Sequence, residues 1–96
     1  MITSKQRAYL RSLAQNIDAI FQIGKNGINE NQVKQIIDAL EARELIKITI
    51  LDSTADDKQV IANELADKTN SEVVQVIGKK ITLYKRSINH PTIELP

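Results

Sequence analysis

Residues 19–33 read AIFQIGKNGINENQV, and the fold turns on how this stretch divides. Its first five residues are apolar and rich in β-formers, which predicts a short strand that Gly24 ends. From Asn29 the signals become those of a helix start. Asn29 is a favourable N-cap, Gln32 stands three residues later as a capping-box partner, and Ile28 with Val33 can form a hydrophobic staple. Between the two elements lies Gly24-Lys25-Asn26-Gly27, which holds two of the chain's three glycines. Strand, glycine-flanked turn and capped helix make the first half of a crossover unit, and such units pair their two strands in parallel.

The rest of the chain fits around this unit. Upstream, Leu10, Leu13, Ala14 and Ile17 recur at helical spacing, with Thr3 or Ser4 as N-cap. Arg7 and Arg11 lie one turn apart along an edge of that stripe, while Lys5 points elsewhere. Downstream, Val33, Ile36, Ile37 and Leu40 give the second helix its apolar face. LIKITIL, residues 45–51, is apolar on both faces, as a strand covered from two sides would be. Ser53 or Thr54, followed by Asp56 and Asp57, predicts a third helix with acids in its first turn, where they suit the macrodipole. Val60, Ile61 and Leu65 supply its buried face, and Asn70 suits a left-handed C-cap. EVVQVI (72–77) and KITLYKR (80–86) flank Gly78-Lys79 as a hairpin. The expected fold is α/β: a single compact domain over residues 1–86, in the order α-β-α-β-α-β-β, with a four-stranded mixed sheet covered by helices. Residues 87–96, SINHPTIELP, read as a loosely attached tail.

Ninety-six residues allow one core, and 42% hydrophobic with 26% charged residues is ordinary for a globular protein. Aromatics make up only 3%, so Ile, Leu, Val and Ala must build the interior. The absence of cysteine excludes disulfides and thiolate metal sites. No apolar run reaches the ~20 residues of a membrane span, and the N-terminus lacks the apolar segment of a signal peptide. A soluble, cytoplasmic chain with no membrane partner is the expectation. Net charge is only +1, but it is unevenly spread: residues 1–27 carry +3, residues 28–51 −1, residues 52–72 −4 and residues 73–96 +3. Basic ends and an acidic middle can present one cationic face, which orients a polyanion.

Catalysis finds no support. The single histidine, His90, stands in the tail beside Pro91, and a general base must be held rigidly. No metal, cofactor or small-molecule substrate is expected, because neither nucleotide-binding glycine pattern is present and a metal site would need carboxylates alone. The Gly24–Gly27 turn suggests different chemistry. Glycines admit backbone angles closed to other residues and let a ligand's backbone come close. The helix beyond points unpaired N–H groups and partial positive charge at the same place, and Lys25 adds a full charge. These are the needs of a phosphodiester, and a GXXG loop clamps nucleotide backbones in the KH module.

Four separated segments then agree with one family. KQRAYLRSLA (5–14), IGKNGI (23–28), LEARELIKI (40–48) and IGKKITLYKR (77–86) resemble the CRM domain, named for chloroplast RNA splicing and ribosome maturation, in its small stand-alone bacterial YhbY-type form. The likeness covers residues 2–86. It implies a fold similar to the C-terminal domain of bacterial initiation factor three, and RNA as partner, usually ribosomal RNA in precursor large-subunit particles. Carried over by position, the RNA-binding residues are Lys5, Arg7, Arg11, Gly24, Lys25, Asn26 and Gly27, with Arg86 and the hairpin lysines as an extension. Two departures are Gln15, where bacterial members often have histidine, and Lys85, which separates Tyr84 from the arginine. Tyr9 and Tyr84 are candidates for stacking on bases, whereas Phe21 is expected in the core. The expected function is a non-catalytic RNA-binding protein of ribosome assembly. The alternative is a module that binds a ribosomal protein or assembly factor through its acidic third helix, and DNA binding is a weaker third reading.

Overall fold

A computed structural model describes residues 2–24, 27–51 and 57–96. Its elements are α1 (Ser4–Ala14), β1 (Ala19–Ile23), α2 (Glu30–Arg43), β2 (Leu45–Ile50), α3 (Lys58–Thr69), β3 (Glu72–Ile77) and β4 (Lys80–Tyr84). They form one four-stranded sheet in the order β1-β2-β4-β3. β1 and β2 are parallel, as the α2 crossover requires, and β4 runs antiparallel to both β2 and β3.

The helix starts follow side-chain chemistry. Thr3 caps α1 and Asn29 caps α2, each with a complete capping box closed by Gln6 and Gln32 respectively. The start of α3 differs from the sequence reading. Asp57 is itself the N-cap, accepting from Gln59 N at 2.8 Å, and the first turn carries no acid. Ser53, Thr54 and Asp56 lie outside the described residues. Asn70 does close α3 in the left-handed conformation. Val60, expected inside, is 58% exposed, and Ala62 and Ala66 join Ile61 and Leu65 on the buried face instead.

Two cores lie on opposite faces of the sheet. The larger gathers Ile23, Ile46, Ile48, Ile50, Ile81 and Leu83 from the strands against α2 and α3. Each such side chain contributes roughly 1.5–3 kcal/mol by leaving water. A register shift in β3 between Val73 and Gln75 breaks the two-residue alternation, so that Val73 and Val76 both reach this core while Val74 faces the other way. The smaller core packs Leu10 and Ala14 of α1 on Leu45, Val74 and Tyr84.

Residues 87–96 are not a loose tail. Beyond Tyr84 the chain leaves the sheet and is gathered by two carboxylates at the end of α2. Glu44 accepts from Ser87 N at 2.9 Å, Thr92 N at 2.6 Å and Ile93 N at 2.8 Å. Glu41 accepts from the Ser87 hydroxyl, Ile88 N and Asn89 N. Ile93 and Leu95 then pack into the smaller core, and Gln6 Nε2 donates to the Pro96 carbonyl at 3.3 Å. The composition of this segment reads as loose attachment, but a carboxylate on a neighbouring helix can collect the backbone donors that such a segment leaves unpaired.

The hydrogen bonds from the Ser87 hydroxyl and from Ile88 N and Asn89 N, with His90 adding a smaller favourable charge, hold the Glu41 carboxyl at about 2 instead of its ordinary 4.5. A depressed carboxylate stabilises the fold fully above about pH 4.5 and loses that contribution as pH falls through about 2. The amide resonances of Ile88 and Asn89 are expected to titrate with a midpoint near 2. A midpoint at the ordinary value would show that Glu41 does not hold them.

Candidate nucleic-acid interface

The register of β2 determines which functional residues meet. Ile23 pairs with Ile50, Leu51 N donates to Ile23 O at 2.9 Å, and Ile50 N donates to Lys79 O at 2.6 Å. The glycine turn after β1 therefore shares one end of the sheet with the β3–β4 hairpin and its exposed Lys79 and Lys80. The turn is closed by Gly27 N donating to Gly24 O at 3.0 Å. Lys25 and Asn26, between them, lie outside the described residues.

The two glycines are not equivalent. Gly27 has φ +72 and open space around it, so its conformation favours glycine. Gly24 lies outside the left-handed region, and a Cβ there would meet only Leu51 Cδ1 at 3.6 Å, an ordinary contact. Of the two, Gly27 uses a backbone conformation closed to most other residues and Gly24 does not. The α2 N-terminus is also less open than expected. Gln32 N is taken by the Asn29 side chain at 2.8 Å, which leaves the N–H groups of Glu30 and Asn31 as those without a partner within the helix. Glu30, at the first helical position, sets a carboxylate beside them.

α1 lies across the opposite face. Its edge with Gln6 and Leu13, together with Ile17 just beyond the helix, meets the docked C-terminal segment. At 3.6 residues per turn, Arg7 and Arg11 fall on the other edge, away from the docked segment. Arg7 is half-buried, with its Nε buried and lacking a hydrogen-bond partner; Arg11 is exposed. Among the described residues, neither arginine forms an ion pair. Lys5 is exposed on the solvent side of α1 and does not join them. Lys47, which the sequence reading passed over, crosses from β2 to donate to Ala14 O at 2.7 Å, so its charge serves the C-terminus of α1.

Arg86 is separated from this group. Tyr84 pairs with Leu45 and Glu72, the first residues of β2 and β3, so β4 carries Arg86 to the far end of the sheet. The length of β2 alone puts it roughly 17 Å from the turn. The expected extension of the surface through Arg86 is not formed. Tyr84 is only 5% exposed, which removes it as a stacking platform. Burial raises its pKa, and the nearby Glu44 carboxylate adds to that while Arg86 opposes it. Tyr9 is 39% exposed on α1, and Phe21 packs against the larger core as expected. His90 is exposed, and no group of metal-ligating side chains occurs among the described residues. Among the same residues no helix is long and apolar enough to cross a membrane.

A model of the CRS1/YhbY (CRM) domain matches residues 2–85. The chain belongs to that family. Relatives of this CRM domain include the Bacillus subtilis protein named "Probable RNA-binding protein YqeI", 49% identical with both chains covered completely. A Haemophilus influenzae protein named "RNA-binding protein" is 33% identical, covering 99% of this chain and 95% of its own. The solution structure of the hypothetical protein SAV1595 from Staphylococcus aureus superposes with a TM-score of 0.85 at 58% identity over the whole of both chains.

Gly24→Ala is expected to fold with a thermal midpoint close to that of the unsubstituted protein, because its Cβ meets no more than ordinary contact. Gly27→Ala is expected to lose about 1 kcal/mol or more through its positive φ. Equal losses in urea unfolding of the two variants would contradict this assignment.

Proposed function

We propose that this CRM domain is a non-catalytic RNA-binding protein that engages ribosomal RNA in precursor large subunits, in the cytoplasm. Family membership and the names of the relatives support RNA as the partner class. The observations that support the reading are the open space at Gly27 and two arginines of α1 that, among the described residues, have no carboxylate partner.

In this reading the sugar–phosphate strand passes over Gly24–Gly27, where Gly27 leaves room for it. Phosphate oxygens accept from Glu30 N and Asn31 N, and Lys25 and Asn26 in the same turn belong to the site by sequence. Arg7 and Arg11 give charge-assisted contacts to the neighbouring phosphates, bidentate where geometry allows. Lys79 and Lys80 lie at the same end of the sheet; Lys5 and Arg86 contribute at most to the distant field. With Tyr84 buried and few other aromatics, recognition rests on RNA shape and backbone rather than on base edges.

Removing one phosphate contact lowers the slope of log affinity against log salt by about 0.7–0.9. Arg7→Ala and Arg11→Ala are each expected to do so with transcribed large-subunit ribosomal RNA, and unchanged affinity and slope in both would refute the site. Glu30→Gln is expected to act in the opposite sense. Taking roughly 0.3–1 kcal/mol for a charge at a helix N-terminus, it strengthens binding by about two- to fivefold. Weaker binding by this variant, read by filter retention, would show that phosphate does not approach α2.

A further inference from the structure

Glu44 stands where helices commonly end on glycine. It closes α2 with φ +66 and ψ −38, a region that strains any residue with a Cβ. The reason for a glutamate lies in its side chain, which is fully buried and accepts three backbone N–H groups and the Thr92 hydroxyl from residues 87–93. Glu41, one turn earlier, accepts three more donors from residues 87–89. The strained backbone is therefore retained for a carboxylate, and the carboxylate holds the C-terminal segment.

That segment in turn bears on α1, an 11-residue helix too short to persist without tertiary support. α1 rests chiefly on β2 and β3. Its remaining support comes from Ile93 and Leu95, packed with Leu10, Leu13 and Ile17, and from Gln6 bonded to Pro96 O. The family match ends at residue 85, so this support lies beyond the part that the family model describes.

We propose that Glu41 and Glu44 are positioning residues for RNA binding: by strapping residues 87–95 against one edge of α1, they fix the opposite edge, which carries Arg7 and Arg11. The proposal rests on the RNA site described above and adds a requirement that this site alone does not impose. Neither glutamate touches RNA; each acts through the segment it holds.

The test uses the full chain with Glu44→Gln, Glu44→Gly and Glu41→Gln, reading amide hydrogen exchange by residue and affinity for transcribed large-subunit ribosomal RNA. Glu44→Gln is expected to speed exchange at Thr92, Ile93 and the α1 amides near Leu10 by about tenfold or more, with β2 and α2 unchanged. RNA affinity should fall by about three- to tenfold. Glu44→Gly should show the same pattern although it relieves the backbone; a residue serving only as a cap would instead give better protection and unchanged binding. Glu41→Gln should act in the same direction more mildly, and it supplies the answer if the Glu44 variants do not fold. Release of residues 87–95 with α1 still protected and affinity unchanged would overturn the proposal. The Arg7→Ala, Arg11→Ala double variant separates the two readings. If it binds as the unsubstituted protein does while Glu44→Gln weakens binding, the arginine site is wrong and the proposed route falls with it. If Glu44→Gln loosens α1 and weakens binding, and the double variant also loses affinity, both stand; if Glu44→Gln loosens α1 and leaves affinity unchanged, the proposal is overturned.

Discussion

The arrangement depends on β2 being buried on both faces in one register. Ile46, Ile48 and Ile50 face α2 and α3, whereas Leu45 packs beneath α1 and Lys47 reaches its C-terminus. A slip of one residue would exchange these sets and put isoleucines where the smaller core has Leu45 and a lysine ammonium group. With that register excluded, the ends of the sheet acquire distinct characters. Ile50 brings the glycine turn to the hairpin, and Leu45 brings Tyr84, and with it Arg86 and the C-terminal segment, to the other end.

The net charge of +1 conceals which charges are already committed. Glu41 and Glu44 are occupied by backbone donors, Asp57 caps α3, and Glu64 pairs with Lys68 at 3.5 Å. Lys47 is occupied at the end of α1. Arg7 and Arg11 have no such partner among the described residues. Hydrogen bonds to neutral backbone groups leave those charges in the overall field, but they leave the Arg7 and Arg11 side chains as cations of α1 still able to meet a phosphate directly. Among the described residues, Glu30 in the first turn of α2 is an acid that opposes a polyanion, and there it also favours the N-terminus of α2.

The element order and the caps at Thr3, Asn29 and Asn70 were legible because they depend on local chemistry within a few residues. The pairing of Arg7 with Arg11 was legible for the same reason. What escaped depends on contacts distant in sequence. Nothing near Arg86 indicates that β4 carries it away from the turn, since that follows from its pairing with β2. The docked C-terminal segment was missed because its anchors lie some 45 residues earlier, at Glu41 and Glu44. Two signals for it were nonetheless present. Ile93 and Leu95 alternate as in a half-buried extended segment, and Ser87 accepts from His90 N, a local turn that a serine three residues upstream allows. Gly24 misled in the opposite direction, since a glycine in a turn need not use the freedom it has.

Central to the account is a sugar–phosphate strand lying between the glycine turn and the free edge of α1. The most direct measurement follows backbone and arginine side-chain resonances while transcribed large-subunit ribosomal RNA fragments are added. The account predicts that the largest changes fall on Gly27, Glu30, Asn31, Arg7 and Arg11, with α3 and Arg86 nearly silent. Changes concentrated on α3, or around Arg86 at the far end of the sheet, would contradict it.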